Sequence, residues 1–360
     1  MSIAMSETVA AVRHPNSRLG SIEAVRGVAA TAVVLYHVAR HVDLAYGVPA
    51  LKAAFQFGHA GVDLFFVISG FIIFFVHKAD IGAPGRLGHY LSRRFSRVMP
   101  LYWVALCVTL LMGAAGRHAL PAWPGIIWSF TLLPSIDPPT LGVAWTLQFE
   151  LVFYAVFALL ILDRRLGIAV LAAWIVWVLA AWAGIGGGGG TIPDSLYDTY
   201  NFEFVLGMGV AFCLHRVQLP RPHWLFVIGV AAFCAAAAAE NLGVIDGYAA
   251  SSRLAYGIPS ALLVAGLAEI DRSGGLRVPG WLRLLGGASY SIYLFQFVFI
   301  GTAWQLWLAA GLGRWRQGWA SFPLLVAASL LGGILVARLV EQPLLRAIRG
   351  GRRRARLAQP

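Results

Sequence analysis

Arg26-Gly-Val-Ala-Ala-Thr-Ala-Val-Val-Leu-Tyr36-His37 is the stretch that decides how this chain reads. Ten residues separate the arginine from the histidine, so the two side chains are eleven steps apart. Eleven steps at about 100° overshoot three full turns by roughly 20°, so both lie on one helix face, roughly 16 Å apart along the axis. Everything between them is small or apolar except Thr31, as expected of a first transmembrane helix. An ionisable residue inside such a span is costly and marks a functional site by default. A histidine in register with an arginine near the inner boundary points to chemistry reached from the cytoplasm.

Composition agrees. The 360 residues are 59% hydrophobic and only 12% charged, with a mean hydropathy of +0.73. A soluble domain would carry about a quarter charged residues. The expected class is an all-α, polytopic integral membrane protein of about ten transmembrane helices. The apolar segments fall near 22–42, 57–77, 98–115, 145–162, 166–184, 200–215, 223–240, 251–270, 287–310 and 322–340. With both termini cytoplasmic, twenty of the 28 Lys and Arg lie inside and six outside, the bias of the positive-inside rule. The net charge of +12 is therefore a topology signal, and the arginine-rich tail reads as an anchor on anionic lipid rather than a nucleic-acid site. Cys107, Cys213 and Cys234 lie in apolar stretches without metal-type spacing, so neither a metal site nor a disulfide framework is expected. No cleavable signal peptide is read; the first span is its own insertion signal.

Three regions follow: a disordered cytoplasmic lead (1–20), a membrane domain (21–344) and a basic cytoplasmic tail (345–360). The longest external connection, 116–144, is rich in proline. Its apolar core, Ile126 to Leu133, is too short to span and is expected at the interface or re-entering. Gly186 to Gly190 reads as a flexible linker. No internal repeat is evident.

Depth along each span selects candidate residues. Counted from the predicted outer ends, His37, Asp63 and Glu150 fall in one layer, roughly 8–9 Å below the outer surface. Carboxylates in lipid must find partners. A carboxylate orienting the imidazole would fix its tautomer and make His37 a general base; a buried polar lock without catalysis is the alternative. On the inner side Arg93, Arg94 and Arg97 form one helical basic face, suited to polyphosphate or to topology anchoring. Pro100 is expected to mark where an interfacial helix turns into the span. Ser289, Tyr293 and Gln296 make a polar stripe on the ninth span, open to helix packing or substrate contact. Glu203 is expected among headgroups.

At these residues the chain resembles the membrane-bound acyltransferase-3 family, and most of all its exopolysaccharide O-acetyltransferases. Arg26 to His37 resembles the family's arginine–ten residues–histidine motif. Gly61-Val-Asp-Leu-Phe-Phe-Val-Ile-Ser-Gly-Phe resembles its second-span signature, and Arg94-Phe-Ser-Arg97 its two-arginine motif. Trp145-Thr-Leu-Gln-Phe-Glu150, Ser289-Tyr-Ser-Ile-Tyr-Leu and Glu341-Gln-Pro343 follow in family order. Gln296 stands where the late signature often has a histidine, and no appended periplasmic hydrolase-like domain is expected.

The resemblance implies a bacterial inner-membrane O-acyltransferase with no permanently bound cofactor. The donor would be acyl-CoA, usually acetyl-CoA, bound from the cytoplasm. Arg94 and Arg97 would hold its phosphates, with Arg26 and Arg93 beside them, and the pantetheine arm would run towards His37 and Glu150. The acceptor would be a hydroxyl of a polysaccharide or lipid-linked glycan; a lipochito-oligosaccharide or small metabolite is the alternative. His37 would act as base with Glu150, or Asp63, orienting it, or would carry the acyl group itself. Tyr36, Ser289, Tyr293 and Gln296 are candidates for substrate or oxyanion contact. A proton-coupled transporter or lipid-linked sugar flippase is the rival class; it predicts paired interrupted helices and acyl-CoA indifference.

Overall fold

A computed structural model describes residues 19–116, 120–185, 190–314 and 319–348. The lead up to residue 18, the tail from 349 and most of the glycine linker lie outside the described residues. Among the described residues there is no strand. The helices are α1 (Gly20–Tyr46), α2 (Pro49–Phe55), α3 (Gly61–His77), α4 (Leu87–Ala114), α5 (Trp123–Thr131) and α6 (Trp145–Leu162). They are followed by α7 (Arg164–Trp182), α8 (Asn201–Leu214), α9 (Pro222–Asn241), α10 (Ser252–Arg272), α11 (Gly280–Ala309) and α12 (Ser321–Val336).

Nine helices among the described residues are long and apolar enough to cross a membrane. The segment expected at 200–215 forms α8, whose 14 residues span only about 21 Å against a hydrocarbon core of about 30 Å. It nonetheless traverses the bundle beside α3. The starts of α1, α4 and α11 lie together with the end of α12. Arg97 meets Glu341, Ser291 meets Glu341, and Gly27 meets Gly286. This end is called proximal below and the opposite one distal.

Local chemistry sets the breaks. Gly47 ends α1 in the left-handed conformation (φ 67°), its N–H bonding the Asp43 carbonyl at 2.8 Å; an L side chain rarely adopts that conformation. Asp163 divides α6 from α7 by accepting from Leu166 N–H at 2.7 Å. Pro100 does not interrupt α4, which runs through it for 28 residues. Between α4 and α6 the 9-residue α5 lies across Tyr102 and Trp103, whose hydroxyl and indole N–H donate to the Ser129 and Phe130 carbonyls at 2.5 and 2.9 Å. Trp123 and Ile127 are exposed, as an interfacial helix requires.

After α5 the chain dips inward. Leu141, Val143 and Ala144 are buried. The Val143 carbonyl accepts from the Tyr293 hydroxyl at 3.1 Å, and Tyr293 sits thirteen residues, about 20 Å, into α11. Helix α6 therefore begins inside the bundle rather than at its surface.

Two interfaces are closed by backbone contact. A Cβ on Gly70 would sit 2.1 Å from the Phe204 carbonyl, and one on Gly207 2.0 Å from that of Val67, so α3 and α8 touch main chain to main chain. Likewise a Cβ on Gly286 would sit 2.0 Å from the Glu23 carbonyl, where α1 meets α11. Small residues at such crossings permit close approach in membranes. Gly286→Val should push α11 from α1 and destabilise by about 1–3 kcal/mol or more, read as a lower unfolding midpoint in detergent; an unchanged midpoint would contradict the contact.

Candidate active site

A chamber of about 130 Å³ lies between α1, α3, α4, α6 and α11. Its polar lining includes Arg26, Arg94, Arg97 and Glu150, with Ser289 and Tyr293 on α11. The close α1–α11 crossing turns Arg26 inward. The three arginines reach the chamber from two helices that sequence order separates by more than sixty residues.

Glu150, Arg94 and Arg97 each have defined partners. Glu150 accepts from Ser69 Oγ at 3.1 Å and from the Tyr154 hydroxyl, one turn along α6. Arg94 donates to His77 Nε2 at 3.1 Å, and His77 Nδ1 lies 2.7 Å from Asp80. The aspartate thus sets the imidazole tautomer that receives Arg94. Arg97 donates to Glu341 Oε1 at 2.5 Å while Ser291 Oγ donates to Glu341 Oε2 at 2.6 Å. Glu341 ends a wide π-helical turn, Ala337–Glu341, a geometry that recurs at functional sites. The guanidinium of Arg97 also lies over the Tyr290 ring, 5.3 Å from its centroid. Arg93 is exposed and outside the lining. The expected three-arginine face is therefore split: Arg94 and Arg97 turn inward, one turn apart, and Arg93 turns out.

His37 is not in this chamber. Its ring packs edge-on against Tyr36 at 4.9 Å and Phe297 at 4.7 Å. Phe297 lies one turn distal to Tyr293, so His37 sits about 6 Å beyond the chamber wall along α11. The expected His37–Glu150 pair does not form: among the described residues no carboxylate hydrogen-bonds His37. The single-layer expectation fails because α6 begins inside the bundle. Glu150 bonds Ser69, six residues and about 9 Å proximal to Asp63 on α3.

Asp63 is committed elsewhere. It receives Arg253 Nη1 at 2.6 Å, with the side chains 0% and 1% exposed. Arg253 also stacks 4.3 Å over the Tyr200 ring centroid and donates to the Gly247 carbonyl. Glu203 is fully buried, not among headgroups, because α8 presses against α3. Asp198, in the connection before α8, is held above the ordinary carboxylate value chiefly by burial, with the Tyr200 N–H at 2.9 Å working against that rise.

The α11 stripe divides too. Ser289 Oγ is buried without a partner on the chamber wall, and the Tyr293 hydroxyl lies 2.9 Å from Thr146 Oγ1. Gln296 is buried outside the chamber and donates to the Tyr293 carbonyl at 2.9 Å. Tyr36 is distal, its hydroxyl engaged by Arg40 at 2.6 Å and by Tyr248. The sequence reading missed Tyr154, His77 and Asp80; only their spacing from Glu150 and Arg94 hinted at them. Glu341 was visible as a motif residue but had no role.

A larger apolar groove of about 820 Å³ runs along α4, α6 and α7. Its walls include Phe95, Val156, Leu159, Trp174 and Trp177, so it is mainly apolar, and Arg94 and Tyr154 line it as well as the chamber. Among the described residues no group of three or more His, Cys, Asp or Glu is placed to hold a metal ion.

Comparison with known proteins then bears on this geometry. Residues 19–338 match the Acyltransferase domain family. The chain is 31% identical to the exopolysaccharide production protein ExoZ of Rhizobium meliloti, over 84% of this chain and 95% of that one. It is 29% identical to the putative membrane-bound transacylase BcsY of Komagataeibacter xylinus, over 90% and 83% respectively. Against the peptidoglycan O-acetyltransferase OatA of Listeria monocytogenes it is 24% identical over 56% of this chain and 35% of that one. No solved structure matches the chain.

Breaking a buried ion pair by removing one partner costs about 3–5 kcal/mol. Asp63→Ala should therefore lower the unfolding midpoint of the purified protein sharply, and Arg253→Met placed on top of it should recover part of the loss. A purely catalytic Asp63 would leave the midpoint unmoved.

Proposed function

The chain belongs to the Acyltransferase domain family of membrane proteins, and from that premise we propose that it moves an acyl group, acetyl in the first instance, from cytoplasmic acyl-CoA to a hydroxyl of an exported polysaccharide or lipid-linked glycan. The supporting observation is the run of polar groups from Arg94 and Arg97 through Arg26 and Glu150 to Tyr293, with His37 one turn beyond. The names of ExoZ and OatA support a glycan acceptor, and the arginine bias at the proximal end supports a cytoplasmic donor and a bacterial inner-membrane setting.

In this reading the donor enters proximally. Arg94, aimed by His77 and Asp80, takes a phosphate through charge-assisted bonds; Arg26 adds charge from α1. Arg97 is already held by Glu341, so its donor role requires that it share or exchange that carboxylate. A volume of about 130 Å³ is well under the roughly 300 Å³ of the smallest drug-sized sites. The chamber therefore accommodates the pantetheine arm, with the thioester at its distal limit by Tyr293, and the nucleotide stays outside. Glu150 balances the arginines and positions Ser69 and Tyr154 rather than orienting the imidazole.

The acceptor oxygen attacks the thioester carbonyl and the carbon–sulfur bond breaks. His37 takes the hydroxyl proton and returns it to the departing thiolate, so protons balance without a cofactor. Ser289 Oγ, unpartnered and facing the chamber, lies eight residues and about 12 Å proximal to Phe297 along α11, so it is available to the pantetheine arm rather than to the carbonyl oxygen beside His37. Transfer through an acylated His37 uses the same residues in two steps.

His37→Ala should remove ester-linked acyl signals from the polysaccharide proton NMR spectrum at matched membrane levels. Arg94→Ala should raise the KM for acetyl-CoA about 10- to 100-fold, the scale of a lost charge-assisted hydrogen bond. Ester signals that persist without His37 would refute its role as base, and an unchanged donor KM would refute the donor placement.

A further inference from the structure

The imidazole–carboxylate pair expected at His37 exists elsewhere. His59, in the short turn Gln56–Ala60, places Nε2 2.9 Å from Glu240 Oε1 near the end of α9. The side chains are 7% and 3% exposed. Glu240 also accepts from the Tyr256 hydroxyl at 2.5 Å and from the Gln56 amide. A carboxylate receiving three donors fixes the His59 tautomer with its proton on Nε2 and leaves Nδ1 as a bare acceptor.

That acceptor is unfilled. His59 Nδ1 is buried with no hydrogen-bond partner, and so is Gln56 Oε1. Residues three apart in a 3₁₀ turn eclipse one another, so Gln56 and His59 lie on one side of the turn. Leaving a buried acceptor unpaired costs about 1–3 kcal/mol, which a ligand carrying donors would recover. The ring faces are aromatic: Tyr248 stacks on His59 at 4.6 Å and 20°, and Tyr36 meets it edge-on at 5.8 Å. Tyr36 touches His37 as well, so both imidazoles flank one phenol. Arg40, bonded to Tyr36 at 2.6 Å, brings positive charge and disfavours a cationic ligand.

Tyr248 belongs to a connection folded over the pair. A Cβ on Gly247 would sit 2.2 Å from the Glu240 carboxylate, so only glycine permits that closeness. The Gly247 carbonyl is held by Arg253, the partner of Asp63. The Asp63–Arg253 pair thereby anchors the cover of the histidine site.

We propose that His59, Gln56 and Tyr248 form the acceptor subsite, taking a neutral saccharide whose hydroxyls donate to His59 Nδ1 and Gln56 Oε1 at the edge of the stack while a sugar face lies on the exposed outer face of Tyr248, the inner face being packed on His59. Glu240 is a positioning residue that holds the imidazole. The subsite rests on the acyltransferase reading and deepens it: donor and acceptor approach His37 from opposite ends of the bundle. Neutral, hydroxyl-rich chemistry is chosen because two bare acceptors ask for donors, an aromatic face asks for an apolar sugar face, and Arg40 argues against a cation.

The test uses two variants with separate readouts. His59→Gln keeps an amide donor for Glu240 and removes the ring's second nitrogen; Gln56→Leu removes the other acceptor, and with it the amide's bond to Glu240, with little change in volume. In the producing bacterium, at matched membrane levels, each should lower polysaccharide ester content roughly tenfold or more, the scale of one lost buried hydrogen bond. Binding of labelled acetyl-CoA to the purified variants should stay within about twofold of wild type, well under the effect of one lost hydrogen bond. Unchanged ester content in both variants would overturn the subsite. Loss of acetyl-CoA binding alongside the ester would also overturn it, showing a structural rather than an acceptor role. A wild-type protein that binds no acetyl-CoA would instead defeat the donor reading beneath it, and this proposal with it.

Discussion

Ionised groups in an apolar bundle must be paired, and that requirement organises this molecule. Among the described residues, three partly or fully buried polar pairs join elements distant in sequence: Arg97 with Glu341, Arg253 with Asp63, and the His59 imidazole with the Glu240 carboxylate. Each holds a different part of the site. The first ties α4 to the end of α12 at the proximal mouth. The second locks α3 to α10, and the third sets the distal histidine. Such pairs add little net stability over apolar replacements; here each also positions a functional segment.

Backbone contact supplies the complementary constraint. Glycines at the α1–α11 and α3–α8 crossings let helices meet at main-chain distance, which turns Arg26 toward the chamber and buries α8 despite its short length. A chamber bounded by five helices depends on both effects. The glycines draw the helices close, and the charge pairs decide which polar groups face one another. His37 sits between the arginine chamber and the Tyr36–His59 cluster, touching Phe297 on one side and Tyr36 on the other.

Much of the site was legible because helices have fixed pitch. Arg26 and His37 on one face follow from an offset of eleven residues, and Arg94 with Arg97 from an offset of three. Depth was less legible. Counting residues from each predicted span end placed Glu150 beside His37, yet the proline-rich chain before α6 folds inward to Tyr293 and carries Glu150 to a deeper level. Arg93 read as part of the basic face, but the two flanking helices reach only one side of α4. His59 and Glu240 could not be paired from the sequence, since 181 residues separate them and neither carries a spacing that names the other.

By itself the sequence determined class, approximate span number, the helical faces and the family resemblance. Those properties follow from hydropathy and from 3.6-residue periodicity, which act within single segments. Tertiary structure alone decided which carboxylate meets which cation: Asp63 with Arg253, Glu341 with Arg97, Glu240 with His59, and Glu150 with Ser69 and Tyr154. Buried charge chooses its partner by distance and desolvation across helices, and that distance exists only after the glycine crossings and the inward turn before α6 have formed.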